Sequence, residues 1–232
     1  ATSDALLMNP AIDGSLVAWE SIGGNANVKA RYLGRRVQSL GGGPGDQIMP
    51  AVSGNWVAWW DLRRIPKIVA RNMKTGARRV VTPSDDFTLM GPPGLGGRFV
   101  YWWQDSDFDG IGSIVRMDLK SKKRRTVVPQ SSDFAPVWGL SITFPPVPSA
   151  NDRFLVYTSE IAYLIEFAFD PDLIPNDQVG RDVFIVPISG GQVRPVTDNR
   201  ADQAHPVIAD GRRVLWLDSS QATTDLMTRE VP

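Results

Sequence analysis

The sequence predicts an all-β fold, a five-bladed β-propeller of four-stranded antiparallel blades that forms one domain over residues 1–232. The first observation behind this prediction is a repeat of roughly 40 residues, a length typical of propeller blades. The second is a short run in each repeat that is rich in Val, Ile, Trp, Tyr and Phe, which favours strands over helices. These runs are apolar, then aromatic, then polar, and they occupy residues 16–20, 56–61, 99–105, 154–160 and 214–218.

Each repeat predicts about four strands. An inner strand containing a proline ends in a turn of Gly, Asn or Asp residues, and the aromatic run follows as the second strand. A third strand comes after a polar loop, and an outer strand follows turns such as Thr75-Gly76 and Gly190-Gly191. Turns of this composition connect antiparallel strands. The predicted third strands are residues 27–33, 67–73, 113–119, 182–188 and 225–231.

The tryptophans predict how the blades pack. Trp19, Trp59, Trp102 and Trp216 occupy matching positions in their repeats, and we expect them to pack between neighbouring blades. Trp138 has no equivalent in the other repeats. It is therefore the aromatic residue that we expect to contact a ligand.

The fourth and fifth repeats depart from this pattern. Blade 4, at about residues 135–200, contains two stretches that predict long loops, residues 141–150 and 160–181. The fifth repeat ends near its third strand. We therefore expect residues 1–7 to supply the outer strand of blade 5 and to close the ring, because closure removes unpaired strand edges. The alternative is a fifth blade of three strands.

The composition limits the kinds of partner. The chain has 25 acidic and 25 basic residues and no net charge, which argues against binding of nucleic acid or anionic membranes. No apolar run reaches the roughly 18 residues of a membrane span. Cysteine is absent, which excludes disulfides, thiol catalysis and cysteine metal sites. We expect a periplasmic, cell-surface or secreted bacterial or archaeal protein, either a monomer or a domain of a larger surface protein.

The best-defined repeats carry a family resemblance. One runs from Asp46-Gln47-Ile48-Met49-Pro50 through residues 59–61 to residues 75–82, and another from residues 202–206 to residues 216–218. This pattern resembles the TolB-like propeller repeat, also called the WD40-like Pro-Asp repeat. The resemblance implies a propeller that acts as a protein-binding platform, an envelope component or a non-catalytic domain attached to a peptidase. It implies no particular activity.

The segment Asp105-Ser106-Asp107-Phe108-Asp109-Gly110 is a candidate metal site. Carboxylates at alternating positions before a glycine can point several oxygens at one Ca²⁺ ion. The ligands would be Asp105, Asp107 and Asp109, with the carbonyl of Ile111 and the hydroxyl of Ser113. The alternative is an Asp-rich turn without an ion, since such turns favour Asp and Gly in any case.

A second candidate site lies at the mouth of the predicted channel. Aspartates precede the inner strands, and they are Asp4, Asp46, Asp86, Asp133 and Asp202. Gln47 and Gln203 lie beside two of these aspartates, and His205, the single histidine, is close to Asp202 in sequence. Together with Trp138 these residues predict a polar funnel for a cation or a sugar-like ligand. The alternative is structural, with each aspartate accepting hydrogen bonds from backbone amides between blades.

Two functions follow from these sites. The first is a non-enzymatic binding or scaffold propeller of the cell envelope or extracellular space, which recognises protein or glycan through loops at one face. The alternative is a glycoside hydrolase with two carboxylates in the channel. The candidates for that pair are Asp46, Asp133, Asp202 and Glu160.

Overall fold

The computed structural model confirms the all-β prediction and the five-bladed propeller. All regular elements of the described residues are strands, arranged as five antiparallel sheets. Within the same residues, no helix is long and apolar enough to cross a membrane. The structure describes residues 5–63, 65–81, 88–108, 110–130, 147–160, 181–198, 201–209, 211–219 and 224–231.

The chain forms the blades in sequence order, one sheet per repeat. Blade 1 contains β1 (Leu6–Asp13), β2 (Leu16–Gly23), β3 (Asn25–Tyr32) and β4 (Gln38–Ser39). Blade 2 contains β5 (Gln47–Ser53), β6 (Trp56–Asp61), β7 (Lys67–Asn72) and β8 (Arg78–Val81). Blade 3 contains β9 (Leu89–Met90), β10 (Gly94–Gly96), β11 (Phe99–Asp105), β12 (Ser113–Asp118) and β13 (Arg124–Val128).

Blades 4 and 5 complete the propeller. Blade 4 contains β14 (Ser149–Ala150), β15 (Phe154–Glu160), β16 (Arg181–Pro187) and β17 (Arg194–Pro195). Blade 5 contains β18 (Gln203–Ala209), β19 (Arg213–Asp218) and β20 (Asp225–Glu230). The predicted long loops of blade 4 fall mostly on residues 141–146 and 161–180, which lie outside the described residues.

Apolar cores form between consecutive blades, and one aromatic residue of each later blade packs against the blade before it. Trp59 joins the core between blades 1 and 2, and Trp102 the core between blades 2 and 3. Tyr157 and Trp216 do the same between blades 3 and 4 and between blades 4 and 5. The predicted packing of Trp59, Trp102 and Trp216 between blades is confirmed.

Trp19 departs from this rule. It is only half-buried and belongs to none of the buried clusters of the described residues, although its position in blade 1 matches that of Trp59 in blade 2. The described residues contain four buried clusters, one for each pair of consecutive blades, and none of these clusters joins blade 5 to blade 1. The outer face of each terminal blade is therefore apolar but uncovered. Its exposed residues are Leu7 and Ile12 on blade 1 and Val207 and Leu226 on blade 5.

The N-terminal strand does not have the predicted position. Leu6 and Leu7 pair with Ile22 and Ser21 of β2, so they begin the inner strand of blade 1. The prediction that they form the outer strand of blade 5 is therefore wrong, because both residues belong to β1, the inner strand of blade 1 that continues to Asp13. Residues 1–4 lie outside the described part of the chain, in which blade 5 has three strands.

Three inner strands share an irregularity that places side chains at the channel. The pairing register shifts around Asn9 in β1, Met49 in β5 and His205 in β18, each directly before a proline. All three residues have positive φ angles, of 48°, 53° and 51°. A bulge of this kind bends the strand and re-aims one side chain. In these three strands, the proline thus follows a bulge in the channel wall.

Candidate functional site at the central channel

The inner strands enclose a central channel of about 1380 Å³. Its wall consists largely of small and apolar residues, including the prolines Pro10, Pro50, Pro93, Pro148 and Pro206. At one end, turns of neighbouring blades are tied together, because the N–H of Gly54 donates to Asp13 Oδ2 over 2.7 Å. The other end carries the bulges. There the wall includes Asn9, Met49, Thr158, Arg181 and His205.

A buried carboxylate links the bulges of blades 1 and 2. Glu20, only 3% exposed, accepts at Oε1 from Asn9 Nδ2 over 2.7 Å and from the N–H of Met49 over 2.5 Å. The hydrogen bonds satisfy a charge that would be costly to bury alone. Glu20 therefore fixes the bulge of its own blade and that of the next.

Asp46 and Asp202 bind the blade before their own. Asp46 Oδ1 accepts from the N–H of Ala26 over 2.9 Å, at the start of the third strand of blade 1. Asp202 Oδ1 accepts from the N–H of Arg181 over 3.3 Å, at the start of the third strand of blade 4. The two contacts are equivalent in the repeat, and they are the backbone hydrogen bonds expected of a structural aspartate.

Asp202 also forms an ion pair with Arg181. Arg181 Nε donates to Asp202 Oδ1 over 2.7 Å, and Nη2 donates to Oδ2 over 2.6 Å. The hydrogen bonds from Arg181 hold the pKa of Asp202 below its usual value, outweighing the effect of burial, and the nearby His205 lowers it further. The channel mouth between blades 4 and 5 thus combines a carboxylate that stays ionised, a guanidinium and an imidazole.

Gln47 and Gln203 are completely buried and lie away from the channel wall. Gln203 accepts at Oε1 from Thr197 Oγ1 over 3.1 Å and donates from Nε2 to Asp218 Oδ2 over 3.3 Å. Gln47 occupies the matching position in blade 2, but its amide has no hydrogen-bond partner among the described residues. Counting from the bulges, Leu7 takes this position in blade 1 and is 63% exposed.

The Asp-rich hairpin of blade 3 has its own internal bonds. Asp105, 1% exposed, accepts from the N–H groups of Asp107, Phe108 and Gly110 over 3.2, 2.8 and 3.0 Å. Burial raises the pKa of Asp105, whereas hydrogen bonds from Gln130 lower the pKa of Asp107. The carboxylate of Asp105 is therefore used by the turn itself.

Calcium binding at this hairpin stays a prediction. Ile111 and Ser113 lie on the chain that returns from the turn into β12. Asp109 lies outside the described residues, and within them no three acidic, histidine or cysteine side chains form a group that could hold a metal ion.

Other predicted site residues also fall outside the described part of the chain. These residues are Asp4, Asp86, Asp133 and Trp138, and the side chain of Glu160 is likewise not described. Of the predicted funnel residues that are described, His205 lines the channel, and Asp202 lies beside it through its pairing with Arg181.

Sequence reasoning missed three residues of the site. Glu20 is the acid that ends the aromatic run of blade 1, and Asn9 precedes the proline of the inner strand just as His205 does. No sequence pattern indicates Arg181, because its partner Asp202 lies in the next repeat rather than in the same one. In blades 1, 2 and 5, the residue before the inner-strand proline is the sequence signal that locates the channel wall.

These features define the class: the chain has the fold of the TolB-like β-propellers. TolB from Agrobacterium tumefaciens has a TM-score of 0.65 at 14% identity, over 98% of this chain and 78% of that one. TolB from Acinetobacter baumannii has a TM-score of 0.61 at 14% identity, over 89% of this chain and 46% of that one. The chain thus matches less than half the length of the latter.

A protease domain has a similar fold. The β-propeller domain of the Trilobed protease from Pyrococcus furiosus, described as having an open velcro topology, gives a TM-score of 0.60 at 14% identity. The match covers 97% of this chain and 69% of that one. No family model and no curated protein matches the sequence. At these identities the similarity establishes the fold.

Proposed function

We propose that this chain is a non-enzymatic binding or scaffold module that recognises a protein segment or a glycan at one face of the propeller. The observation that carries the proposal is the polar group at the channel mouth, where Arg181 and His205 line the wall beside the paired Asp202. The channel behind it has a volume of about 1380 Å³, larger than the roughly 300–1,000 Å³ of typical small-molecule pockets.

The hydrogen bonds and the ion pair that the candidate carboxylates form favour binding over glycoside hydrolysis. A hydrolase needs one carboxylic acid with a raised pKa to protonate the leaving group. Asp202 has the opposite property, because Arg181 lowers its pKa. Asp46 accepts a hydrogen bond from the backbone of blade 1. Both described candidates thus hold blades together, which is a structural use of a carboxylate.

The proposed setting is the cell envelope or the extracellular space. The fold shared with TolB and with the propeller domain of the Trilobed protease supports a module that works beside other domains or proteins. The absence of net charge and of cysteine fits the same setting. A partner would then be selected by local contacts at the channel mouth rather than by a global field.

The test is a glycan array and a peptide array, probed with the wild-type chain and with His205→Asn. Asparagine tolerates the positive φ of this position, so the variant removes the imidazole while keeping the bulge. We expect at least about tenfold weaker binding of any ligand of the channel mouth, which corresponds to about 1.4 kcal/mol.

The matched control is Lys74→Ala, which changes an exposed turn of blade 2. Ligands bound equally well by the wild-type chain and by His205→Asn would contradict the placement of the site. Hydrolysis of an arrayed glycan that is lost in Asp202→Asn would overturn the non-enzymatic function.

A further inference from the structure

The segments that lead from the third strand to the outer strand are strongly basic in blades 1, 2 and 3. Residues 31–36, 71–79 and 116–125 contain three, four and six Lys or Arg residues, respectively, and their single acidic residue is Asp118. All of these residues belong to the described part of the chain. The corresponding segment of blade 4, residues 187–194, has one charged residue, Arg194.

The three basic segments lie at the same end of the propeller, opposite the channel mouth. At the end of each third strand, one N–H donates to the turn between the first two strands of its blade. The donors are Leu33, Met73 and Leu119, and the acceptors are the carbonyls of Ser15, Asn55 and Arg98, over 2.7, 2.7 and 3.0 Å. These turns line the end of the channel that lies away from the bulges. The three segments therefore form one surface, which we call the basic turn face.

The positive charges of the basic turn face are not neutralised within the described residues. Asp118 forms its ion pair with Arg98, over 3.0 Å, and none of the thirteen basic residues of the three segments takes part in an ion pair. Ten of the thirteen are exposed. The half-buried Arg79 and Arg116 donate to the carbonyls of Leu119 and Ile188 over 3.2 and 2.7 Å, which fixes their position but leaves their charge uncompensated.

Acidic residues concentrate at the opposite end of the propeller. Those that directly precede an inner strand or end a second strand are Asp46, Asp61, Asp105, Asp202 and Asp218. A strand of six residues spans about 20 Å, whereas physiological salt screens charges over about 8 Å. A molecule at the basic turn face therefore meets the basic residues and little of the distant acidic ones. The zero net charge of the whole chain is thus no argument against an anionic partner at this end.

Protection of sheet edges explains only part of this charge. Basic residues within an outer strand, such as Arg78 and Arg79 of β8, discourage pairing with another sheet. Arg35, Lys74 and Lys122, however, lie in the connecting turns and outside any strand. Their charge is not needed to protect an edge, and it indicates a partner.

We propose that the basic turn face docks on the surface of an anionic lipid bilayer. A bilayer surface is broad and nearly flat, so it can meet the turns of three neighbouring blades at once, and each nearby Lys or Arg strengthens the attraction. Blade 1 adds apolar contacts, because Leu33 and Val37, 55% and 47% exposed, flank Arg35 and Arg36. Apolar side chains beside basic ones can enter the boundary between head groups and acyl chains.

Other anionic partners fit this face less well. A single nucleic-acid strand stacks its bases on exposed aromatic rings. The one aromatic residue of the three segments, Tyr32, is half-buried and donates its hydroxyl to Asn55 over 2.8 Å. An acidic protein would need pockets for its anchor residues, whereas the basic side chains here protrude from turns. Docking on a bilayer would leave the channel mouth directed away from the membrane, so the proposal is independent of the channel ligand.

The test is co-sedimentation of the chain with vesicles of phosphatidylcholine that contain phosphatidylglycerol. We expect binding that weakens as salt is added, and no binding to vesicles of phosphatidylcholine alone. The triple variant Lys74→Gln, Lys120→Gln, Lys123→Gln should bind more than about tenfold more weakly, because each cation near the membrane contributes roughly fivefold. All three side chains are exposed, so the melting temperature of the variant should be unchanged.

Single substitutions at the two ends of β7 locate the surface. Lys74→Gln should weaken vesicle binding roughly fivefold. Lys67→Gln removes the same charge at the channel-mouth end of the strand and should leave binding unchanged. Leu33→Ser should weaken vesicle binding about threefold by removing an apolar contact.

Equal binding to both kinds of vesicle, or equal weakening by Lys67→Gln and Lys74→Gln, would overturn the proposal. So would tighter binding to a DNA duplex or to polyglutamate than to the anionic vesicles, because the partner would then be a soluble polyanion.

Discussion

Arg181 and Asp202 form a two-pronged ion pair across the boundary between blades 4 and 5, with N–O distances of 2.7 and 2.6 Å. The side chains are 26% and 40% exposed. Arg181 lines the wall of the channel, and its pair with Asp202 joins two blades.

Asp202→Asn should lower the free energy of unfolding by about 1 kcal/mol, because it removes the charge but water partly screens the pair. Urea denaturation measures the change. Arg98→Ala, which breaks a more exposed ion pair with Asp118, should cost less than about 0.5 kcal/mol. Equal losses in the two variants would show that the Arg181–Asp202 pair stabilises the fold no more than the exposed Arg98–Asp118 pair does.

The same pair predicts a pH dependence. The folded state lowers the pKa of Asp202, so its contribution to stability is complete above the unfolded value of about 4. That contribution is lost as the pH falls from about 4 through the lowered pKa of the folded state. Urea denaturation between pH 7 and pH 3 should therefore show a smaller loss of stability in Asp202→Asn than in the wild-type chain. Parallel curves would contradict the assignment.

Gly41→Ala should destabilise the chain by about 1–3 kcal/mol. A Cβ at Gly41 would lie 1.2 Å from Gln47 Oε1, and the completely buried Gln47 has little room to move away. Gly42→Ala is the matched control, because a Cβ at Gly42 has no atom within 4 Å. Thermal denaturation of both variants distinguishes this contact from a general effect of alanine in the loop.

The two buried glutamines should respond differently to methionine. Gln47→Met removes an amide without hydrogen-bond partners among the described residues, so we expect stability to be unchanged or slightly higher. Gln203→Met removes the hydrogen bonds that this amide forms with Thr197 and Asp218, and it should cost about 1–3 kcal/mol. Chemical denaturation measures both. A loss in Gln47→Met as large as that in Gln203→Met would mean that a bound water pairs with Gln47.

Trp59→Ala should cost about 3–5 kcal/mol, since Trp59 is buried between blades 1 and 2. Trp19→Ala should cost less than half as much, because Trp19 is half-buried at a terminal face. Urea denaturation at two protein concentrations provides the comparison. A loss equal to that of Trp59→Ala, seen only at the higher concentration, would mean that another molecule covers blade 1.

Residue type and repetition were enough to predict the blades. The runs predicted at residues 56–61, 99–105 and 154–160 are the strands β6, β11 and β15 with the same bounds. They could be read from the sequence because strand propensity and apolar burial act within one repeat. The position of β1 could not, since Leu6 and Leu7 suit an inner and an outer strand equally well.

The candidate site was less accessible to sequence reasoning. By sequence, Asp4 matches Asp46 and Asp202. Asp46 and Asp202 each lie three residues before the bulge residue of their strand, and in blade 1 that position is occupied by Leu6. The ion pair with Arg181 depends on how far one blade is rotated against the next. Such contacts between repeats are set by three-dimensional packing, and spacing along the chain does not specify them.

The bulges before three of the channel prolines limit which side chains can occupy this part of the wall. A positive φ is tolerated best by Asn, Asp, His and Gly, and two of the three observed residues, Asn9 and His205, belong to that group. Replacement of one of these residue types by another would change charge and hydrogen bonding in the channel while leaving strand pairing intact. Exchange of these three side chains would therefore change the contacts offered to a ligand without redesign of a single blade.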